Sequence, residues 1–143
     1  MQNFIKRKIS VWAKMIGGVK GAEKAPRRIN AEKGAEKKFR CLSDTVMNER
    51  LYANSQLDRD SFAAYFGISR HTLNMILSSN TGGLSFPQWL NGIRIEKARE
   101  LLRTETEKSI KEIANEVGLT PDNLRRLFRQ KLGMTPTAYR RCD

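Results

Sequence analysis

The sequence repeats one pattern at an offset of 51 residues: DRDSFAAYFGISRHTLNMILSSNTG at 58–82 returns as SIKEIANEVGLTPDNLRRLFRQKLG at 109–133. Each copy has an apolar residue and an alanine, then a glycine, then a hydroxyl residue two positions later, then apolar residues at steps of three and four. The matched positions are Phe62 and Ile113, Ala63 and Ala114, Gly67 and Gly118, Ser69 and Thr120, Leu73 and Leu124, Leu77 and Phe128, Gly82 and Gly133. Such a repeat predicts two copies of one small structural unit.

The pattern is typical of a short helix, a tight turn and a second helix. Glycine tolerates the positive φ at which many helices end, so Gly67 and Gly118 each mark a turn. Ser69 and Thr120 stand where a hydroxyl side chain caps the next helix, and Pro121 suits the first turn of that helix. Other helix starts carry similar capping signals, at Ser85, Ser109 and Thr135. The repeat therefore predicts two helix-turn-helix units.

Helical periodicity covers the remainder of the chain beyond the first 40 residues, and no β pattern competes with it. We predict an all-α fold of about seven helices, in which a long helix connects the two helix-turn-helix units. The predicted ranges are 36–53 for a first helix, 58–80 for the first helix-turn-helix, 86–103 for the connecting helix, 109–132 for the second helix-turn-helix, and a short closing helix from Pro136.

The chain is small and strongly basic. Its 143 residues carry 27 Lys and Arg against 15 Asp and Glu, a formal net charge of +12, and 39% of them are hydrophobic. Residues 1–40 hold 12 of the basic residues and 3 of the acids, so a basic arm precedes a nearly balanced domain. We place the boundary between 1–38 and 39–143. A polyanion is the first partner that this charge predicts.

Residues 1–20 predict a cationic amphipathic helix. Lysine and arginine surround an apolar stripe at helical spacing. The stripe consists of Ile5, Ile9, Trp12, Ile16 and Val19. Such a helix can lie on a membrane surface, bind a protein partner or pack on its own domain, and the sequence leaves all three open. Residues 19–38 contain GAEK at 21–24 and again at 34–37, and their composition predicts a flexible linker.

Residues 42–141 resemble the DNA-binding domain of the AraC/XylS family of bacterial transcription regulators. The resemblance is carried by GISRHTLNMILSSNTGGLSFPQWLNGIRIEKARELL at 67–102, SIKEIANEVGL at 109–119 and NLRRLFRQKLGMTPTAYRR at 123–141. It implies a homeodomain-like fold whose second helices enter adjacent major grooves on one face of double-stranded promoter DNA. It also implies a transcriptional activator that meets RNA polymerase. We expect no sugar- or drug-binding domain before this region, and thus no small-molecule ligand domain.

The outward sides of the second helices are the candidate DNA-reading surfaces. At about 100° per residue, the positions opposite and beside the apolar core positions can be identified. In the second unit they are Asp122, Asn123, Arg125, Arg126 and Arg129, with Lys131 as an added cation. In the first unit they are His71, Thr72, Asn74, Met75 and Ser78. Arginine can pair with guanine and asparagine with adenine, and methionine can touch a thymine methyl group. Periodicity alone leaves open that the basic side is merely solvated.

On the connecting helix, Arg94 and Lys97 are expected to contact phosphate or to pair structurally rather than to read bases. The chain carries no motif of an enzyme or a cofactor: it lacks a Walker-type glycine loop, and Cys41, Cys142 and His71 cannot form a four-ligand zinc site. We therefore expect no catalysis, no cofactor and no metal. The sparse cysteines are typical of a reducing cytoplasm, which is the expected location.

Two alternatives to a small, one-domain regulator remain at this point. The chain can be the output fragment of a larger membrane-linked or two-component sensor. It can also be an interaction module that residues 1–20 tether to a membrane or a partner, with DNA binding as a secondary property. Retention on DNA in the absence of lipid separates the regulator from the tethered module.

Overall fold

The computed structural model describes residues 28–142, and the predicted all-α class is confirmed for this part of the chain. Seven α-helices and one 3₁₀ turn follow one another, with no strand between them in these residues. They are α1 Arg28–Asn48, the 3₁₀ turn Leu51–Ala53, α2 Arg59–Phe66, α3 Arg70–Thr81, α4 Phe86–Thr104, α5 Ile110–Glu116, α6 Pro121–Leu132 and α7 Pro136–Arg141. None of these helices is long and apolar enough to cross a bilayer. The amphipathic helix predicted over 1–20 lies outside the described residues.

Both copies of the repeat form the predicted helix-turn-helix, α2 with α3 and α5 with α6. The second helices α3 and α6 each span 12 residues and start and end at equivalent positions. The Ser69 hydroxyl accepts a hydrogen bond from the Thr72 backbone N–H at 3.0 Å, and the Thr120 hydroxyl accepts one from the Asn123 N–H at 3.2 Å. A cap of this kind contributes about 1 kcal/mol. Each second helix ends at a glycine with φ of +71°.

Further caps fix the starts of the first helices. In α5 the Ser109 hydroxyl accepts from the Glu112 N–H at 3.1 Å, and the Glu112 carboxylate accepts from the Ser109 N–H at 3.0 Å, as predicted. In α2 a similar box joins Asp58 and Ser61, with the Ser61 N–H donating to Asp58 Oδ1 at 2.7 Å. The sequence did not predict this second box, because serine stands where the usual pattern has Glu or Gln. The predicted Ser85 cap of α4 stays a prediction.

The first helix begins earlier than predicted. It starts at Arg28 rather than at 36, so residues 28–38 are helical where the sequence predicts a flexible linker. The stretch is rich in Ala, Glu and Lys, which favour helix formation. It also packs on α3, where the Asn80 side-chain amide donates to the Ala35 carbonyl at 3.3 Å. Helix propensity and packing against α3 therefore both stabilise the helix over residues 28–38.

The first helix also ends earlier than predicted. It stops at Asn48, whereas the sequence predicts a helix to 53. Arg50 takes the left-handed conformation, with φ of 55°, and thereby redirects the chain into the 3₁₀ turn. The turn buries Tyr52, which is only 2% exposed. Burying an aromatic side chain outweighs the cost of one left-handed arginine, about 1–2 kcal/mol.

Two compact units divide the described residues, and the first consists of 28–48 and 58–87. Within it, α1 and α2 both pack against α3. Its core includes a cluster of three aromatic rings, with Phe62 lying 4.8 Å from Phe66 and 5.0 Å from Phe86 between ring centroids. Offset aromatic pairs at such distances add to the stability supplied by apolar burial.

The second unit consists of 49–57 and 88–142. Tyr52, Leu124 and Phe128 belong to its core, and Leu124 and Phe128 are fully buried. The segment 49–57 therefore belongs with the second helix-turn-helix, although it precedes the first one in the sequence.

The equivalent turn glycines of the two units have different surroundings. Gly118 has φ of +80°, and a Cβ added there would lie 2.5 Å from the Tyr52 carbonyl oxygen and 3.0 Å from the Ala53 carbonyl. Gly67 has φ of +66°, and a Cβ there would meet nothing within 4 Å. Gly118 is thus required both for its backbone conformation and for close packing of the 3₁₀ turn.

Candidate nucleic-acid interface

The second helix of the second unit, α6, presents one continuous polar side to solvent. Complete burial of Leu124 and Phe128 fixes the rotation of the helix about its axis. The exposed positions are Asp122, Asn123, Arg125, Arg126, Arg129, Gln130 and Lys131. The structure therefore brings together, on one side of one helix, five of the six residues that the sequence predicts for this unit, whereas Lys131 lies on the side that faces α4.

Some of the cations on α6 are paired with carboxylates. Arg125 Nη1 lies 3.0 Å from Asp122 Oδ1, and Lys131 Nζ lies 3.2 Å from Glu96 Oε1 on α4. Glu96 also pairs with Arg99 at 3.1 Å. Partial burial alone would raise the pKa of the Glu96 carboxyl, but the hydrogen bonds from Lys131 and Arg99 outweigh it and lower that pKa. Such exposed pairs add little stability, yet they reduce the net positive charge that α6 presents.

Arg126 and Arg129 are the remaining arginines of α6, and neither forms an ion pair within residues 28–142. At about 100° per residue, Arg126 lies about 200° from the buried Leu124 and points most directly outward. Arg129 lies about 140° from Leu124, nearer one edge of the outward side. The two guanidinium groups therefore lie at different positions on the outward side, and each would meet a different part of a polyanion bound there.

In the first unit, the predicted reading side of α3 is also the exposed side. His71, Met75 and Ser78 are exposed, and Thr72 and Asn74 are half-buried beside them. Met75 is 57% exposed, which is unusual for a large apolar side chain. The Thr72 hydroxyl lies 2.9 Å from the Ser69 hydroxyl at the cap and is partly engaged there.

Helices α3 and α6 differ strongly in charge. The α3 helix contains a single arginine, Arg70, whose Nε lies 3.5 Å from Asp60 Oδ1. Its outward side is otherwise polar and uncharged or, at Met75, apolar. Of the two helices, α6 therefore carries most of the positive charge that can attract a polyanion.

The structure decides between the two roles left open for Arg94. Its side chain is only 7% exposed, and its Nε donates to the Tyr52 carbonyl at 2.8 Å while Nη2 donates to the Asn54 carbonyl at 2.7 Å. Burial lowers the pKa of this guanidinium from its usual value. Arg94 is therefore a structural residue, and its predicted role as a DNA contact is wrong. Lys97 pairs with Glu100 at 2.9 Å.

One part of the site was not predicted from the sequence. A polar groove of about 390 Å³ separates the segment around Ser55 and Gln56 from α6, where Asn123 and Arg126 line it. No local pattern marks Ser55 or Gln56, because they become part of the site only through the fold of the second unit.

Comparison with known proteins agrees with this architecture. A family model described as a helix-turn-helix domain matches residues 62–142. An uncharacterized HTH-type transcriptional regulator of Bacillus subtilis (strain 168), YfiF, is 36% identical over 99 residues, which are 69% of this chain and 31% of the relative. A second one, YijO of Escherichia coli (strain K12), is 38% identical over 104 residues, 72% of this chain and 35% of the relative. The chain thus spans about a third of the length of these relatives.

Two solved structures are also similar. The C-terminal domain of AraT, a response regulator from Geobacillus stearothermophilus, matches with a TM-score of 0.65 and 32% identity, over 73% of this chain and 84% of that one. The DNA-binding domain of AdpA, a global transcriptional factor solved in complex with a target DNA, matches with a TM-score of 0.62 and 34% identity, over 71% of this chain and 90% of that one.

The duplicated, capped motif and the helical fold define a helix-turn-helix domain of the type found in transcription regulators. Its two copies, the connecting helix α4 and the closing α7 carry the arrangement that the sequence resemblance implied. The chain belongs to the AraC/XylS family.

Proposed function

We propose that this chain is a sequence-specific DNA-binding transcription regulator in which α3 and α6 each enter a major groove of promoter DNA. The observation that carries the proposal is the pair of capped, 12-residue second helices with exposed polar sides. An α-helix fits into the major groove of B-form DNA. The DNA-bound AdpA domain, a structural relative, supports DNA as the partner. The relatives are named as transcriptional regulators, a class without catalytic activity.

Within this proposal the two helices make different contacts with DNA. Arg126 reads a base edge, most suitably that of guanine, which has two acceptors for one guanidinium. Arg129 contacts a phosphate. Asn123 on the flank of α6 suits adenine or phosphate. In the first unit, Met75 contacts a thymine methyl group and Asn74 or His71 adds a polar contact. Of the two helices, α6 therefore supplies more of the charge-assisted binding than α3.

Activation of transcription is the second element of the proposal. Among the relatives, the RhaS protein of Escherichia coli (strain SE11) is named an HTH-type transcriptional activator and is 35% identical over 86 residues, 59% of this chain and 30% of that protein. We infer that this chain also activates, with RNA polymerase as its protein partner. In vitro transcription from a promoter that carries the selected site, with and without the chain, tests this inference.

Selection of bound duplexes from a random pool by the full chain tests DNA reading itself. The enriched site should contain two short conserved blocks about one helical turn, ~34 Å, apart on one face of the duplex. Binding should weaken with salt along a log–log slope of about −5 to −9, as expected for roughly 6–10 phosphate contacts. Recovery of no consensus, together with a slope near zero, would overturn the proposal.

A further inference from the structure

We propose that the loop around Ser55 and Gln56 is a second DNA-contacting element, which holds the phosphate backbone beside α6. The inference rests on the proposed function and names a part of the interface outside either helix-turn-helix. Both side chains are exposed, and both line the polar groove whose opposite wall includes Asn123 and Arg126.

The position of the groove around α6 identifies which flank of the helix the loop accompanies. With the outward direction near Arg126, the side chains of Arg125 and Arg129 lie toward one flank and Asn123 toward the other. The groove is lined by Asn123, Arg126 and Leu127, so the loop accompanies the flank that carries no further arginine.

A helix in the major groove has a DNA strand on each flank. The major groove of DNA is about 12 Å wide, and an α-helix with its side chains is about 10–12 Å across. Both sugar-phosphate strands therefore come close to a helix that lies in it. Arg125 and Arg129 can contact one strand. On the other flank α6 carries no arginine beyond Arg126, and the loop extends that flank with the hydroxyl of Ser55 and the amide of Gln56. Serine and glutamine side chains are common donors to DNA phosphates.

The loop is held in place before any ligand arrives. The buried Arg94 binds the carbonyls of Tyr52 and Asn54, which fixes the backbone immediately before Ser55. The Gln56 backbone N–H donates to Asn54 Oδ1 at 3.0 Å, which closes a local turn and leaves the Gln56 side chain outward. Because the backbone is fixed in advance, little ordering entropy opposes contact with the phosphate. Arg94 thus acts as a positioning residue for this loop.

The test is a pair of opposite charge changes, Gln56→Lys and Gln56→Glu, in the full chain. The matched control pair is Thr106→Lys and Thr106→Glu, on the exposed turn beyond the other end of α4. Helix α4 alone separates Arg94 from Thr104 by about 15 Å, more than a Debye length at physiological salt. Affinity is measured by fluorescence anisotropy on the selected duplex and on a mixed-sequence duplex of about two helical turns. Thermal melting followed by circular dichroism checks that each variant folds.

We expect Gln56→Lys to tighten binding about fivefold and to steepen the salt slope by about one, and Gln56→Glu to weaken binding about fivefold, on both duplexes. The Thr106 pair should change affinity by less than about twofold. Equal effects at the two positions would mean that only net charge matters and would overturn the loop proposal while leaving DNA binding intact. If the unaltered chain binds neither duplex at low salt, the proposed function itself fails, and the loop proposal fails with it.

Discussion

Alanine at Gly118 should destabilise the protein much more than alanine at Gly67. Both glycines have positive φ, so each substitution incurs the left-handed cost of an L-residue, about 1–2 kcal/mol. Only at Gly118 does the new Cβ come within 2.5 Å of a backbone atom, the Tyr52 carbonyl oxygen. The comparison therefore isolates the close packing of the 3₁₀ turn on the second helix-turn-helix.

The Tyr52 carbonyl cannot easily move away from the added methyl group. It accepts a hydrogen bond from Arg94 Nε at 2.8 Å, and that guanidinium is buried. Weakening a hydrogen bond to a buried charged group costs about 1.5–3 kcal/mol. Adding this to the conformational term gives an expected loss of about 2.5–5 kcal/mol for Gly118→Ala, against about 1–2 kcal/mol for Gly67→Ala.

Urea titration of the full chain, followed by far-ultraviolet circular dichroism, measures the difference between the two variants. Amide hydrogen exchange over 59–81 and 110–132 locates the loss in one helix-turn-helix or the other. The expected result is loss of protection in 110–132 for Gly118→Ala and a smaller loss in 59–81 for Gly67→Ala. Equal destabilisation by the two substitutions would refute the reasoning, since it would mean that the turn yields without cost.

Two further predictions concern the charges of the second unit. Arg126→Ala should cost about 1–3 kcal/mol on the selected duplex and relax preference at one base pair, whereas Arg129→Ala should weaken all duplexes alike and flatten the salt slope by about one. Anisotropy titrations on selected and scrambled duplexes at two salt concentrations separate these outcomes, and equal losses for Arg126→Ala on both duplexes would contradict base reading. Glu96→Gln removes the carboxylate that pairs with a lysine of α6, so it should tighten binding to scrambled DNA and steepen its salt slope by up to about one. Glu107→Gln removes the same net charge from an exposed position outside these pairs, and an identical gain there would show that the pairing is irrelevant.

The helix-turn-helix units were predictable because their signals are local. The cap at Ser69, the turn at Gly67 and the apolar positions of α3 all lie within a few residues of one another, and the second copy repeats them. The end of α1 was not predictable in this way. No glycine or proline stops it, and it ends at Asn48 because the second unit takes Tyr52 into its core. That cause lies in the tertiary structure.

The same distinction applies to the candidate interface. Burial of Leu124 and Phe128 follows from periodicity, so the outward side of α6 could be identified from the sequence. The carbonyl partners of Arg94 and the carboxylate partner of Lys131 could not, since each lies more than 30 residues away along the chain and is brought close only by folding. From the sequence alone, a buried structural arginine such as Arg94 cannot be distinguished from an arginine that contacts DNA.

The membership of residues 49–57 in the second unit has a consequence for how this architecture can be cut and recombined. A break placed between the two repeats, around residue 84, would leave the carboxyl-terminal fragment without the tyrosine that its own core encloses. Its turn glycine would then face an empty space in place of a 3₁₀ turn. A domain exchange that replaces the second helix-turn-helix with that of a relative must therefore also replace residues 49–57. The two helix-turn-helix motifs are similar in sequence, but they cannot be interchanged, because only the second one packs with residues 49–57.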